Sequence, residues 1–291
     1  MYFTIGGRRV QSGLYRVTYV GDESTAPATA KPTVSVARNT RRALEVFHSK
    51  QDRKAAAAAW PHLDDDDRFI RWAARVAIEN QPRKFWVEKA LTDSNPATQD
   101  EALLAVARVT GVCPQHRDVN TPPVDTAMQA NLLSAILDID STKLSHDQQL
   151  TLVRTLQITL NRFGRPDDAV VAKLLHKFDP MFPAETTELN WLLCETLAWL
   201  QSPTVAAKAI ALIEAAPIQE EQLQYARSLR MLKAGWTTET RTAYFEWFLK
   251  AASYRGGASF ERFIEFIRTD AVASLSDAEK ESLAEVLAKK P

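Results

Sequence analysis

From about Val36 onward, apolar positions recur at three- and four-residue spacings, the period of a helix with one buried face. Leu150, Val153, Leu156 and Leu160 form one such stripe, and Leu189, Leu192, Leu193, Leu197 and Leu200 form another. Glycine is sparse inside these segments and proline falls mostly between them, as helix starts and stops require. Asn95-Pro96 and Ser202-Pro203 each set a capping side chain just before a proline suited to a first helical turn. Ser145-His-Asp-Gln148 and Ser276-Asp-Ala-Glu279 fit the capping box, in which two side chains satisfy each other's exposed backbone donors. The first twenty residues keep a different period. Tyr2-Phe-Thr-Ile5 and Leu14-Tyr-Arg-Val-Thr-Tyr-Val20 alternate in polarity around Gly6-Gly7 and Ser12-Gly13, which predicts a β-hairpin. A two-stranded hairpin alone is marginal in water, so these strands read as the cut edge of a larger sheet. Residues 21–35, rich in Ala, Thr and Pro, read as a linker.

The helices predicted to be most buried centre on Ile70, Leu104, Val153, Leu193 and Leu229, at intervals averaging roughly forty residues, near the period of two-helix solenoid units. The stretch from Trp60 to Glu79 reads as a helix end, an acidic turn at Asp64 to Asp67, and a second helix start. It resembles a HEAT repeat, with Asp65 in the turn, Ile70 and Arg71 after it, and Ala74 one turn on. That resemblance implies that Asp65 pairs with an arginine such as Arg71 between neighbouring repeats. The proline often found in the first HEAT helix is Ala57 here, and the other units depart further, so the array is degenerate. The expected fold is all-α: a HEAT/armadillo-like α-solenoid over residues 36–290, preceded by a β-hairpin over 1–20 and a linker over 21–35.

Composition narrows the function classes. Lys plus Arg and Asp plus Glu both number 36, so no global positive excess attracts phosphate backbones or anionic lipid, and a nucleic-acid partner is not expected without a local patch. No apolar run approaches the length of a bilayer crossing, and the amino terminus lacks the pattern of a secretion signal. Cys113 and Cys194 are too few for a disulfide framework or a four-cysteine metal site, and whether they pair stays open. The four aspartates lack the alternation, central glycine and distant glutamate of a calcium loop, and read as a helix start favoured by unpaired N–H groups. Cys113-Pro-Gln-His116 has Gln115 where covalent haem attachment needs a second cysteine, so it reads as a loop. His48, His62, His146 and His176 lack paired spacing and read as surface or capping residues. Gly6-Gly7 and Gly256-Gly257 lack the strand–loop–helix pattern and the lysine of a phosphate loop, and read as turns. Of seven tryptophans, Trp72, Trp191, Trp199 and Trp247 lie in apolar stripes and are expected in the core. No catalytic, cofactor-binding or metal-ligating residue is assigned.

Several phrases carry a resemblance. Met1-Tyr-Phe-Thr-Ile-Gly-Gly-Arg-Arg9 with Gly13-Leu-Tyr-Arg-Val-Thr-Tyr19, then Gln224-Tyr-Ala-Arg-Ser-Leu-Arg230, Tyr244-Phe-Glu-Trp-Phe248 and Gly256-Gly-Ala-Ser-Phe260, resemble the PVC-type haem-binding CxxCH proteins across nearly the whole chain. In that family an amino-terminal β-propeller, similar to glucose/sorbosone-type dehydrogenases, precedes helical repeats and a cytochrome c module. The resemblance implies that the hairpin is a propeller remnant, that the haem c motif lies beyond Pro291, and that the location is periplasmic or exported.

The expected function is therefore a non-catalytic scaffold or protein-interaction segment of a larger dehydrogenase-like haem protein. It has no cofactor of its own, and its partner is a propeller, a cytochrome module or another protein. The alternative is a HEAT-like DNA glycosylase, which arginines and lysines gathered on one concave face around a tryptophan and an aspartate would favour.

Overall fold

The structure, a computed structural model, describes residues 1–7, 10–27 and 35–289. Arg8-Arg9 of the expected hairpin, residues 28–34 of the expected linker and Lys290 lie outside the described residues. The chain is mostly helical, 65% of it in fifteen α-helices among the described residues, with one two-stranded sheet. It divides into two compact units, Val34–Val205 and Met1–Thr33 with Ala206–Pro291.

In the Val34–Val205 unit the helices are α1 (Val36–Glu45), α2 (Ala55–Ala59), α3 (Arg68–Glu79), α4 (Val87–Thr92), α5 (Pro96–Thr110), α6 (Thr126–Asp138), α7 (His146–Phe163), α8 (Asp168–Phe178) and α9 (Thr187–Leu200). Their starts follow the predicted caps. Asp67 accepts from the Phe69 N–H, Asn95 from the Ala97 and Thr98 N–H groups, and Ser145 and Gln148 form the expected box. Ser35 belongs with α1, whose Arg38 N–H it caps, rather than with a linker. Gly164 at φ 87° ends α7 where a Cβ is disfavoured, and Gln201 at φ 63° ends α9 in a left-handed conformation.

Within this unit α2, α4, α6 and α8 pack in turn on α3, α5, α7 and α9. The later member of each pair also packs on the next, α3 on α5, α5 on α7 and α7 on α9, while α4 packs on α6 and α6 on α8. The core follows most of the predicted stripe positions: Val153, Leu156, Leu160, Leu189, Leu193, Leu197 and Leu200 are buried, whereas Leu150 and Leu192 are half-buried. Helix ends are closed by cations from neighbours. Arg162 of α7 donates to the Arg108 and Gly111 carbonyls at the end of α5 (2.6 and 2.7 Å), and Lys177 of α8 donates to those of Leu137 (2.8 Å) and Ile139 at the end of α6. A positive group at the negative end of a helix dipole satisfies orphan carbonyls that propensity leaves open.

The second unit holds β1 (Tyr2–Gly7), β2 (Val10–Arg16), α10 (Val205–Ala215), α11 (Gln219–Leu229), α12 (Thr238–Ala251), α13 (Phe260–Ala273), α14 (Asp277–Ser282) and α15 (Ala284–Ala288). The hairpin is antiparallel but set earlier than predicted: Ser12 and Gly13 lie inside β2, where Gly13 faces Ile5. The register slips between Ile5 and Gly7, at Gly6 with φ 155°, and this alignment lets Tyr15 stack on Phe3 at 5.4 Å. Tyr2, Phe3, Ile5, Leu14, Tyr15, Val17, Tyr19 and Val20 are all exposed, so among the described residues nothing covers either face of the hairpin. Pro203 stands outside α10; Ser202 bonds the Thr204 N–H and, with Thr204, the Asp179 carboxylate, instead of capping a helix directly. Among the helices, Tyr244, Phe245, Trp247 and Phe248 of α12 make the core, and Tyr244 donates to the Ala226 carbonyl of α11 at 2.7 Å.

Candidate functional site

The residues singled out in the sequence do not gather at one place among the described residues; His62 bonds Asp65 at 3.4 Å, and His48 meets Trp72. Asp64 to Asp67 form a helix start: the Asn95 amide donates to Asp64 (2.8 Å), Asp65 accepts from the Asp67 N–H, and Asp67 caps α3. The expected Asp65–Arg71 carboxylate pair between repeats does not form. Arg71 instead donates to the backbone carbonyls of Asp65 (2.6 Å) and Asp66 (3.1 Å) at the start of its own helix. Six residues of separation bring the guanidinium back over the turn, where carbonyls lie nearer than the carboxylates. Cys113 donates its thiol proton to Gln115 at 2.6 Å, Cys194 is buried, and the two do not form a disulfide with each other. His48 is less exposed than expected: its ring is half-buried, bonds the Ala73 carbonyl at 2.8 Å and meets Trp72 edge-on. No group of three or more His, Cys, Asp or Glu that could hold a metal ion occurs among the described residues, and no described helix is long and apolar enough to cross a membrane.

Two of the four tryptophans expected in the core are not there. Trp72 is 48% exposed and Trp199 is 44% exposed, whereas Trp191 is half-buried and Trp247 buried. Periodicity placed all four on apolar stripes, but Trp72 and Trp199 lie at the stripe edges. A large ring there gains more from covering surface than from entering a core already filled by alanine and leucine.

Each exposed tryptophan lines a groove. The first, ≈ 490 Å³, has α3 as one wall through Arg68, Arg71 and Trp72, Glu101 of α5 at its floor, and Thr151 of α7 opposite. Residues 98–107 of α5 are all buried, which recesses that helix between its neighbours. The second groove, ≈ 400 Å³, lies between α7 and α9 and is lined by Arg154, Ile158, Asn161, Glu195 and Trp199. Thr151, Arg154, Ile158 and Asn161 repeat at three and four residues, so both grooves open along one face of α7.

Charge in the first groove is organised around α5. Arg75 donates to Glu101 at 2.6 Å and contacts Glu79 at 3.3 Å, and Arg108 donates to the same Glu79 oxygen at 2.7 Å. Burial pushes the Glu101 carboxyl above its ordinary range, with Arg75 and Arg71 pulling the other way. Asp100 beside it is 1% exposed, and burial raises its carboxyl well above the usual aspartate range, against the bond from Thr155. Arg68 and Arg154, by contrast, are exposed and form no ion pair among the described residues. The sequence reading missed Arg68, Arg75, Arg154 and the Asp100–Glu101 pair. The available signal was two adjacent acids entering an Ala-Leu-Leu-Ala run, where charge opposes burial.

These features define a mostly helical protein with an aromatic and arginine-bearing helix face. Comparison with protein-family models, curated proteins and solved structures gives no match.

Proposed function

We propose that the chain is a HEAT-like α-solenoid acting as a non-catalytic scaffold or protein-interaction segment, part of a larger PVC-type haem-binding CxxCH protein. The observation that carries this reading is the order of neighbours from α3 to α9: each hairpin packs on the next in two rows, as stacked repeats do. The uncovered hairpin, apolar on both faces, supports a sheet completed by a propeller. A quasi-one-dimensional stack opens from its ends, so amide hydrogen exchange should be faster in α3 and α9 than in α5 and α7. A single cooperative opening of all four would count against the solenoid. The coding frame tests the family: an upstream propeller and a downstream Cys-x-x-Cys-His are expected, and a frame with neither sinks that membership. A Soret band retained by the purified chain after haem reconstitution and chromatography would overturn the absence of a cofactor.

A second reading, a HEAT-like DNA glycosylase, draws on Arg68, Arg71 and Trp72 beside the buried Asp100 and Glu101. Such an enzyme needs a carboxylate facing the extruded nucleotide, and here Glu101 is held by Arg75. Release of a base from an alkylated duplex by the purified chain, lost in Trp72→Ala, would favour it over the scaffold.

A further inference from the structure

We propose that the face formed by α3, α5, α7 and α9 binds an acidic, extended peptide segment that places apolar side chains against Trp72 and Trp199. This rests on the protein-interaction reading above and adds the partner's chemistry. Three observations carry it.

The first is the pair of exposed indoles, each in its own groove, with Phe69 of α3 also exposed beside Trp72 in the first. Tryptophan and arginine are the residues that anchor protein interfaces, because each combines a large contact area with a polar handle. The second is charge. The chain is neutral overall, yet Arg68 and Arg154 stand exposed in the grooves without an ionic partner among the described residues. Five arginines line the grooves, Arg68, Arg71, Arg75, Arg154 and Arg162, against two carboxylates, Glu101 and Glu195. The unspent charge is therefore positive, and a planar guanidinium pairs bidentately with a carboxylate. The third is reach. From Thr151 to Asn161 the α7 face runs about 15 Å at helical rise, the span of about five residues of extended chain. Asn161 is exposed with no hydrogen-bond partner among the described residues, so its carboxamide can accept from and donate to one peptide unit of such a chain.

An acidic peptide fits better than a nucleic acid. Arg71 ties the first groove to the turn carrying Asp64 to Asp67, whose charges would repel a continuous phosphate backbone passing over it. A peptide can place carboxylates only where Arg68 and Arg154 stand.

The test is fluorescence anisotropy with the full chain and three labelled probes: a peptide of alternating Glu and Leu, its Lys and Leu counterpart, and a single-stranded oligonucleotide. The acidic peptide should bind, more weakly as salt rises, and its Kd should rise at least about tenfold in the double variant Arg68→Glu, Arg154→Glu and in Trp72→Ala. These positions are exposed, and unchanged circular dichroism verifies that the variants fold. Binding of the Lys peptide, lost in Trp72→Ala, would overturn the acidic class and keep the interaction reading. Oligonucleotide binding lost in the arginine variant, without acidic-peptide binding, would overturn it in favour of nucleic acid. No binding by any probe to the folded chain would overturn both the proposal and the use of this face for interaction.

Discussion

The Thr155 hydroxyl donates to Asp100 Oδ1 at 3.0 Å across the α5–α7 contact, while Asp100 Oδ2 lies buried with no partner among the described residues. Both residues are essentially inaccessible to water. Burial therefore keeps a proton on Asp100 at pH values where an unfolded aspartate has lost it. The folded state binds more protons than the unfolded state in that window, so this group's stability contribution is full below the ordinary aspartate range. It falls as pH rises toward the raised folded value. Asn at position 100 carries no such titration. The stability of Asp100→Asn minus that of wild type should climb with pH above the ordinary aspartate range, measured by urea unfolding across pH. A difference independent of pH would contradict a protonated Asp100.

Arg71 and Asp65 are joined through a main-chain carbonyl, not through a carboxylate. Removing Arg71 takes donors from two carbonyls and should cost about 1–2 kcal/mol, typical of charged-group hydrogen bonds. Asp65→Asn leaves the carbonyl in place and should change stability by about 0.5 kcal/mol or less. A double-mutant cycle should therefore give a coupling close to zero. A coupling of about 1 kcal/mol or more would restore the carboxylate pair that a HEAT resemblance implies.

How legible this molecule was in its sequence depends on the range of the forces involved. The capping boxes at Ser145 and Ser276 and the caps at Asp67 and Asn95 are contacts among residues two or three apart, and the sequence carries them fully. The stripe through Val153, Leu156 and Leu160 was equally plain, since burying one helix face needs only local periodicity. The grooves were not legible. Arg68 and Thr151 line one groove across α5 only because three helices pack in a given order, and no local spacing encodes that order. The contrast between Trp72 and Trp247 has the same origin, because both sit on similar stripes and only neighbouring helices decide which is covered.

That contrast predicts unequal costs of truncation. Trp247 is buried, packs against Phe248 at a centroid distance of 4.9 Å and donates its indole N–H to Gln222 at 3.2 Å. Trp247→Ala should cost about 3–5 kcal/mol, the range for deleting a buried aromatic ring. Trp72→Ala and Trp199→Ala should each cost about 1 kcal/mol or less, as surface changes do. Equal losses in chemical unfolding would mean that the two exposed rings are covered in solution.

Arg241 of α12 is 2% exposed and clamps the start of α14: its Nε donates to Glu279 at 3.0 Å, and Glu279 also completes the capping box of Ser276. The guanidinium lies over Trp236 at 4.2 Å and its Nη2 reaches the Leu232 carbonyl at 3.3 Å, but Nη1 is buried without a partner among the described residues. Burying a cation with one donor unmet is costly, so an apolar side chain of similar length can replace it with little loss. Arg241→Met should stay within about 1 kcal/mol of wild type. Arg241→Ala, which empties the space over Trp236, should cost about 3 kcal/mol. Glu279 adds a pH signature. Desolvation pulls its carboxyl upward, but bonds from Ser276 and Arg241 outweigh it and hold the group below its ordinary range. A lowered folded value means that its contribution is complete above the unfolded glutamate range and is lost as pH falls through the folded value. Glu279→Gln keeps a side chain able to serve the capping box while removing the charge, so it should lose less stability than wild type on acidification. If both proteins lose stability in parallel as pH falls, the clamp is not electrostatic and Arg241 holds α12 to α14 by packing alone.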